Sequence, residues 1–162
     1  MNNIINNVKA ITAYRIFSRM YFYLPIIFPF FYISGHSVET IELLLALYGI
    51  AVTVFIGVSK KITGFIGHKN ALIVGELFKI IGLLFFILCA QYIEILCLAQ
   101  IIMGIGYSLI VGNDTMILQQ SFAGNVGTEY HTVQAKTNSY MFIALLISGL
   151  IGALLFAHSP SL

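Results

Sequence analysis

The chain has 162 residues, of which 59% are hydrophobic and only 9% are charged. Soluble domains carry about 25% charged residues, so this composition argues against a soluble protein and predicts a membrane-embedded one. The formal net charge of +2 comes from scattered basic residues. Nucleic-acid binding needs a clustered basic surface and is not expected. The His and Cys residues lack the spacing of a zinc site, so we expect no metal and no cofactor.

Five long apolar stretches follow a polar N-terminal segment, residues 1–12. Each stretch is long enough to cross a hydrocarbon core about 30 Å thick, which takes about 20 helical residues. A short tail, residues 158–162, follows the last stretch. We therefore predict an all-α polytopic membrane protein whose transmembrane domain, residues 13–157, has five helices at 13–35, 39–58, 69–90, 93–119 and 134–157.

The first predicted helix is rich in aromatic residues and contains Pro25 and Pro29, one helical turn apart. Each proline removes a backbone donor and bends a helix. In lipid, the freed carbonyl groups must be satisfied by neighbouring helices or by water in a cavity. We therefore expect this helix to contact other helices or a pore, although an ordinary proline kink without function is equally consistent with the sequence.

Basic residues lie almost entirely on one side of the predicted bundle. The connections 35–40 and 91–94 and the C-terminal tail contain no Lys or Arg, whereas seven of the eight basic residues lie at the other helix ends: Lys9, Arg15, Arg19, Lys60, Lys61, Lys69 and Lys136. Cytoplasmic loops are enriched in Lys and Arg. We therefore predict a cytoplasmic N-terminus and an outside C-terminus, in the plasma (inner) membrane of a bacterium.

Two ionisable residues lie within the third predicted helix. Lys79 comes ten residues after Lys69, about 15 Å along a helix and therefore near mid-membrane. Glu76 is three residues earlier on the same face, and the lysine should lean back toward it. An ionisable residue at this depth is a candidate for ion or substrate coupling. The alternative is a structural pair that neutralises itself.

Small residues recur along the fourth and fifth predicted helices. A stripe of small side chains lets two helices approach closely. We therefore predict helix-packing faces at Gly104, Ser108 and Gly112 and at Gly149 and Gly152. The connection 120–132 is the longest, and Gly124 to Gly127 predict a turn there.

The connection between the second and third helices, residues 59–70, is short and basic. It resembles the G-x-x-x-D-R-x-G-R-K loop of the major facilitator superfamily of secondary transporters. Gly67 and Lys69 match that pattern, and His68 takes the place of an Arg. Gly64 takes the place of the Asp, which in the family belongs to a charge relay that stabilises one gate state. The resemblance thus implies a cytoplasmic loop motif of Gly64, Gly67, His68 and Lys69, without the usual relay.

The fourth helix adds a second likeness to the same family. The stretch 100–108 is similar to R-x-x-x-G-x-G-x-A, with Gln100 in place of the Arg, and 111–114 is similar to S-G-x-D/E. The family's fourth helix borders the central cavity, and its third helix lies peripherally. The resemblance therefore implies that Asp114, with Asn113 beside it, takes part in ion or substrate coupling, and it favours the structural interpretation of Glu76 and Lys79.

The order of elements resembles that of major facilitators from residue 13 to residue 157. These transporters have two six-helix halves with the substrate near the midplane between them. The resemblance implies a truncated or split N-terminal part of a transporter for a small molecule or ion, surrounded by the lipid bilayer and completed by a second chain where the protein is split. The alternative is a small membrane protein that acts by helix–helix association, such as an assembly or immunity factor. Enzyme chemistry is not expected, because few ionisable residues lie deep in the spans.

Overall fold

A computed structural model describes residues 2–122 and 127–158. The predicted turn at Gly124 to Gly127 and the tail 158–162 lie almost wholly outside the described residues. Within the described part the chain is all-helical, which confirms the all-α part of the predicted fold class. Its helices are α1 (Asn2–Ser18), α2 (Ile27–Ile33), α3 (Val38–Ile66), α4 (His68–Leu88), α5 (Ile93–Ile110), α6 (Asn113–Ser121) and α7 (Thr128–His158).

Four of these segments are long and apolar enough to cross a membrane: Val38–Ile66, His68–Leu88, Ile93–Ser121 and Thr128–His158. They correspond to the second to fifth predicted spans. The length and apolar character of these four segments therefore suggest an integral membrane protein. The third of these segments combines α5 and α6, which are separated by a short break.

The first predicted span is not one helix. α1 ends at Ser18, the backbone leaves the helical conformation until Ile26, and α2 then covers only seven residues. Pro25 lies in the break, where it donates no hydrogen bond and disfavours helical geometry at Leu24. Pro29 is tolerated because it lies in the first turn of α2, where a backbone N–H has no partner within the helix. The prediction of a continuous helix over 13–35 is therefore wrong.

The basic connection between α3 and α4 is also much shorter than predicted. Lys60, Lys61 and Gly64 lie within α3, and only Gly67 separates the two helices. Lysine is a good helix former, so this basic run does not end α3. The helix ends at Gly67, whose φ of 80° suits glycine and whose N–H donates to the Thr63 carbonyl oxygen at 2.8 Å. His68 and Lys69 open α4, so the predicted loop over 59–70 is reduced to one residue.

A second glycine interrupts the fourth predicted span. α5 ends at Ile110, Val111 has an extended conformation, and Gly112 has a φ of 85°. A residue in the left-handed region ends an α-helix, so α6 starts anew at Asn113. Gly112 therefore does not belong to a helical packing face, and among the described residues no atom lies within 4 Å of the position its Cβ would occupy. The prediction of a packing role for Gly112 is wrong.

The described chain divides into two compact units, Met1–Pro29 with Thr115–Leu162, and Phe30–Asp114. In the second unit α5 packs against both α3 and α4. A Cβ added at Gly104 would lie 2.6 Å from Ala51 Cβ, and one added at Gly106 would lie 2.6 Å from the Gly75 carbonyl oxygen. Small residues thus allow both helices to approach α5 closely. Ser108 is also buried, and its hydroxyl donates to the Ile105 carbonyl oxygen of its own helix.

In the other unit α1 packs against α7. Arg15 contacts Thr137, and the Phe22 backbone contacts Gly152, where an added Cβ would collide with it. Later residues of the first segment therefore lie beside later residues of α7, so the two run parallel. Gly152 permits this close approach, whereas Gly149 has no atom of the described chain within 4 Å of where its Cβ would be. Gly149 thus makes no such packing contact in this part of the chain.

We predict that Gly104→Leu destabilises the α3–α5 contact, because the new side chain would collide with Ala51 and with the backbone at Tyr48. Overpacking of this kind costs about 1–3 kcal/mol. The matched control is Gly57→Leu on α3, where an added Cβ has no described atom within 4 Å. Unfolding in SDS, followed by circular dichroism, should show a clear loss for Gly104→Leu only. Equal stability of the two variants would contradict the packing described here.

Candidate functional site

The break between α5 and α6 places a buried amide among three backbone segments. Asn113 Nδ2 donates to Thr63 Oγ1 at 2.9 Å and to the Leu109 carbonyl oxygen at 2.7 Å. Its Oδ1 lies 2.6 Å from His68 Nδ1. Because an amide oxygen can only accept, the His68 ring must carry a proton on Nδ1. Asn113 thus links the end of α5 to the end of α3 and the start of α4, and we call Thr63, His68 and Asn113 the polar cluster.

Asp114 follows directly and is as buried as Asn113, each with 7% of its surface exposed. It lies in the first turn of α6. The helix dipole stabilises a carboxylate at this position. A buried acid beside a helix break can therefore hold a negative charge or a cation.

The level of Asn113 and Asp114 along the helices differs from the position beside a central cavity that the family resemblance implies. α5 alone has 18 residues, about 27 Å at 1.5 Å per residue, which nearly equals the hydrocarbon thickness of about 30 Å. Asn113 follows the end of α5 and bonds to residues at the α3–α4 connection. One of them, Thr63, lies three residues after Lys60. Asn113 and Asp114 therefore lie at the basic end of the helices, not beside a cavity at mid-membrane.

Of the four predicted loop-motif residues, the structure brings only His68 into the cluster. Gly64 is exposed on α3, Gly67 forms the connection, and Lys69 is exposed in the first turn of α4. The motif thus contributes one hydrogen-bonding side chain and one turn. Among the residues that the structure describes, no group of three His, Cys, Asp or Glu side chains could hold a metal ion.

Glu76 and Lys79 form the pair that their spacing predicts, with Lys79 Nζ 2.8 Å from Glu76 Oε2. Lys79 is 7% exposed, and its backbone lies on the face of α4 that meets Gly106 of α5. An unpaired charge at this depth would cost at least about 2.5–3.5 kcal/mol. The pair therefore supports the interpretation of Glu76 as the neutralising partner of Lys79, at a level different from that of the polar cluster.

Sequence reasoning did not identify the most buried cation. Arg15, counted above only as a topology signal, is 1% exposed. Its Nη1 donates to Thr137 Oγ1 at 2.8 Å and to Asn138 Oδ1 at 3.3 Å, and its Nη2 donates to Thr115 Oγ1 at 2.9 Å. The signal that could have revealed it is the polar pair Thr137 and Asn138 at the start of an otherwise apolar stretch. The bonds to Thr137 and Asn138 join α1 to α7, and the bond to Thr115 joins α1 to α6.

We predict that His68 and Asn113 are energetically coupled across the α4–α6 contact. A double-mutant cycle with His68→Ala and Asn113→Ala should give a coupling energy of about 0.6 kcal/mol, the average for hydrogen bonds between membrane helices. The measurement is the free energy of unfolding in SDS. The control cycle pairs Asn113→Ala with Asn70→Ala, because among the described contacts the Asn70 side chain bonds only to the Ile66 carbonyl oxygen at the end of α3. Equal coupling in the two cycles would contradict a specific His68–Asn113 bond.

Comparison with known proteins assigns no family to this chain. No protein-family model, no curated protein and no solved structure matches it. The features of the chain that bear on its function are therefore the polar cluster, Asp114 and the Glu76–Lys79 ion pair.

Proposed function

We propose that this chain is the N-terminal part of a secondary transporter that moves a small solute or ion across the plasma membrane, as its resemblance to major facilitators suggests. The observation that supports this best is the interrupted segment α5–α6, with Asn113 and Asp114 buried at the start of its second half. Interrupted helices with polar groups at the break form binding sites in many secondary transporters, where they lie near the midplane of the membrane, whereas the break in this chain lies at the basic end of the helices. A buried acid in a membrane segment is a functional candidate by default.

In this proposal Asp114 binds the coupling ion or proton. Asn113 then transmits the resulting change in the first turn of α6 to the α3–α4 connection. Neutralising Asp114 would alter the first turn of α6, where the helix dipole favours its negative charge. Asn113 precedes it directly and holds His68 and Thr63. The polar cluster would then act as a latch at the α3–α4 connection, which is where the family resemblance implies a gate.

The proposal includes five membrane crossings with a cytoplasmic N-terminus. Arg15 lies against Thr137, and Phe22 lies against Gly152. These two contacts are about 22 Å apart along α7 at 1.5 Å per residue, so the first segment runs along α7 over that length. Because α1 and α7 run parallel, their starts lie on one side, and the chain between them crosses an even number of times. With α3, α4 and α5–α6 each taken as one crossing, the proposal assigns the fourth crossing to residues 13–35.

We predict that a cysteine at Ser37 is labelled from outside and one at Lys61 only from the cytoplasmic side. Ser37 is exposed at the start of α3, and Lys61 is exposed near the end of α3, so labelling reports topology and not burial. The measurement uses a membrane-impermeant maleimide on intact cells and on lysed cells, in a chain whose Cys89 and Cys97 are replaced by Ala. Preferential labelling of the cysteine at position 61 from outside would contradict the orientation.

The alternative, a membrane protein that acts by helix–helix association, is favoured by one observation. The small residue Gly149 has open space around it in the described structure, and the neighbouring apolar residues of α7 are exposed. Another helix could pack there closely. Such a protein would leave transport unaffected when Asp114 is changed, so the next experiment separates the two functions.

We predict that Asp114→Asn lowers ion-coupled transport by about tenfold or more, equivalent to about 1.4 kcal/mol in the transport barrier. The double variant Glu76→Gln, Lys79→Met should transport nearly normally, because it removes both charges of a pair that neutralises itself. The measurement is proton or sodium flux into proteoliposomes that contain this chain and any chain that completes the transporter. Size-exclusion chromatography checks that each variant is folded. Loss of transport only in the double variant would move the coupling site to α4, and flux unaffected in both would favour the alternative function.

A further inference from the structure

An apolar groove runs between α1 and α7 in the first compact unit. Its volume is about 320 Å³, at the lower end of the range for small-ligand pockets, about 300–1,000 Å³. Three of its α7 side chains, Tyr140, Ile143 and Ile147, are about half exposed, so the groove is open along its side. Its lining residues are Ile16, Met20, Tyr140, Ile143, Ala144 and Ile147.

The α7 side of the groove continues into a basic residue. Lys136 is exposed and lies one helical turn before Tyr140, on the same stripe as Ile143 and Ile147. The eleven residue steps from Lys136 to Ile147 cover about 16 Å of helix, roughly half of a hydrocarbon core about 30 Å thick. The stripe therefore has the length of one lipid leaflet. A lysine, then an amphipathic tyrosine, then aliphatic side chains also follow the order of headgroup, interface and acyl chain.

The charge at the head of the stripe favours an anionic headgroup. A lysine side chain on a helix leans toward the N-terminus, which carries the Lys136 ammonium group away from the groove and toward the membrane surface. Glu129, on the same face, lies seven residues earlier, about 10 Å farther from the groove. His131 is exposed beside the same helix start. An anionic lipid phosphate at Lys136 would thus be nearer to the cation than to this carboxylate.

We propose that the groove binds one acyl chain of an anionic phospholipid whose headgroup is held by Lys136, with Tyr140 at the level of the glycerol. This inference needs α7 to cross a bilayer, but it needs no transport activity. The lipid would cover the open side of the contact between α1 and α7.

Native mass spectrometry of the purified chain tests this assignment, with dioleoyl phosphatidylglycerol and dioleoyl phosphatidylcholine added at equal concentration. The parent should retain the anionic lipid about fivefold better, equivalent to about 1 kcal/mol for one lysine near an anionic surface. Lys136→Gln should remove this preference. Ala144→Phe should fill the groove and lose both lipids.

Two matched variants control for charge and bulk. Lys61→Gln removes an exposed lysine of α3, and Ala153→Phe adds a ring to an exposed position of α7 outside the groove. Both should retain lipid as the parent does. A preference that survives Lys136→Gln, equal lipid retention by Ala144→Phe and Ala153→Phe, or a dimer that only Ala144→Phe dissociates would each overturn the proposal. Because the readout is bound lipid, its failure leaves the transport experiment unaffected.

Discussion

Backbone hydrogen bonding in a medium without water is the constraint on which this structure depends. Each N–H and C=O group within the hydrocarbon must find a partner in the protein, so a helix can be interrupted only where other groups replace its lost bonds. Between α1 and α2, short turns replace them: Leu24 donates to the Tyr21 carbonyl oxygen at 3.2 Å and Ile26 to that of Tyr23 at 2.9 Å. The close contact of Phe22 with Gly152 then places this irregular segment directly against α7.

The same constraint explains why the polar cluster lies at the second interruption. In a continuous helix the Leu109 carbonyl oxygen would accept from the backbone of Asn113. Here the Asn113 side chain donates to it instead, at 2.7 Å. Asn113 therefore caps α5 while its oxygen binds His68. The Asn113 side chain thus replaces the lost backbone bond of α5 and also bonds to the α3–α4 connection. Any rearrangement of the break must therefore change the contacts with Leu109 and with His68 together.

Composition and hydropathy were sufficient to predict an all-helical membrane chain and four of its long apolar segments. The Glu76–Lys79 pair was also predictable, because its geometry follows from a three-residue spacing on one helix. The interruptions were harder to predict. Gly112 fits a small-residue stripe as well as it fits a left-handed break, and only its φ of 85° distinguishes the two. The lysines at 60 and 61 suggested a loop, although lysine favours helix.

The candidate site was predictable only in part, for a related reason. Asn113 and Asp114 were identified from a local likeness, but their level in the membrane depends on where α5 ends. Thr63 gave no local signal, since it meets Asn113 from 50 residues away. The burial of Arg15 gave no local signal either, because its partner Thr137 is 122 residues distant. Burial of a polar residue by distant segments is a tertiary property, which local patterns do not contain.

The one-residue connection at Gly67 has a consequence for how sequence length can vary in this protein. α3 and α4 are joined without slack, so adding or removing one residue there would turn α4 by about 100° about its axis, since an α-helix has 3.6 residues per turn. The His68 ring would then point away from Asn113, and Lys79 away from α5. Gly67 thus sets the rotational phase of α4. A change of length in the turn between α3 and α4 is therefore not compatible with this architecture.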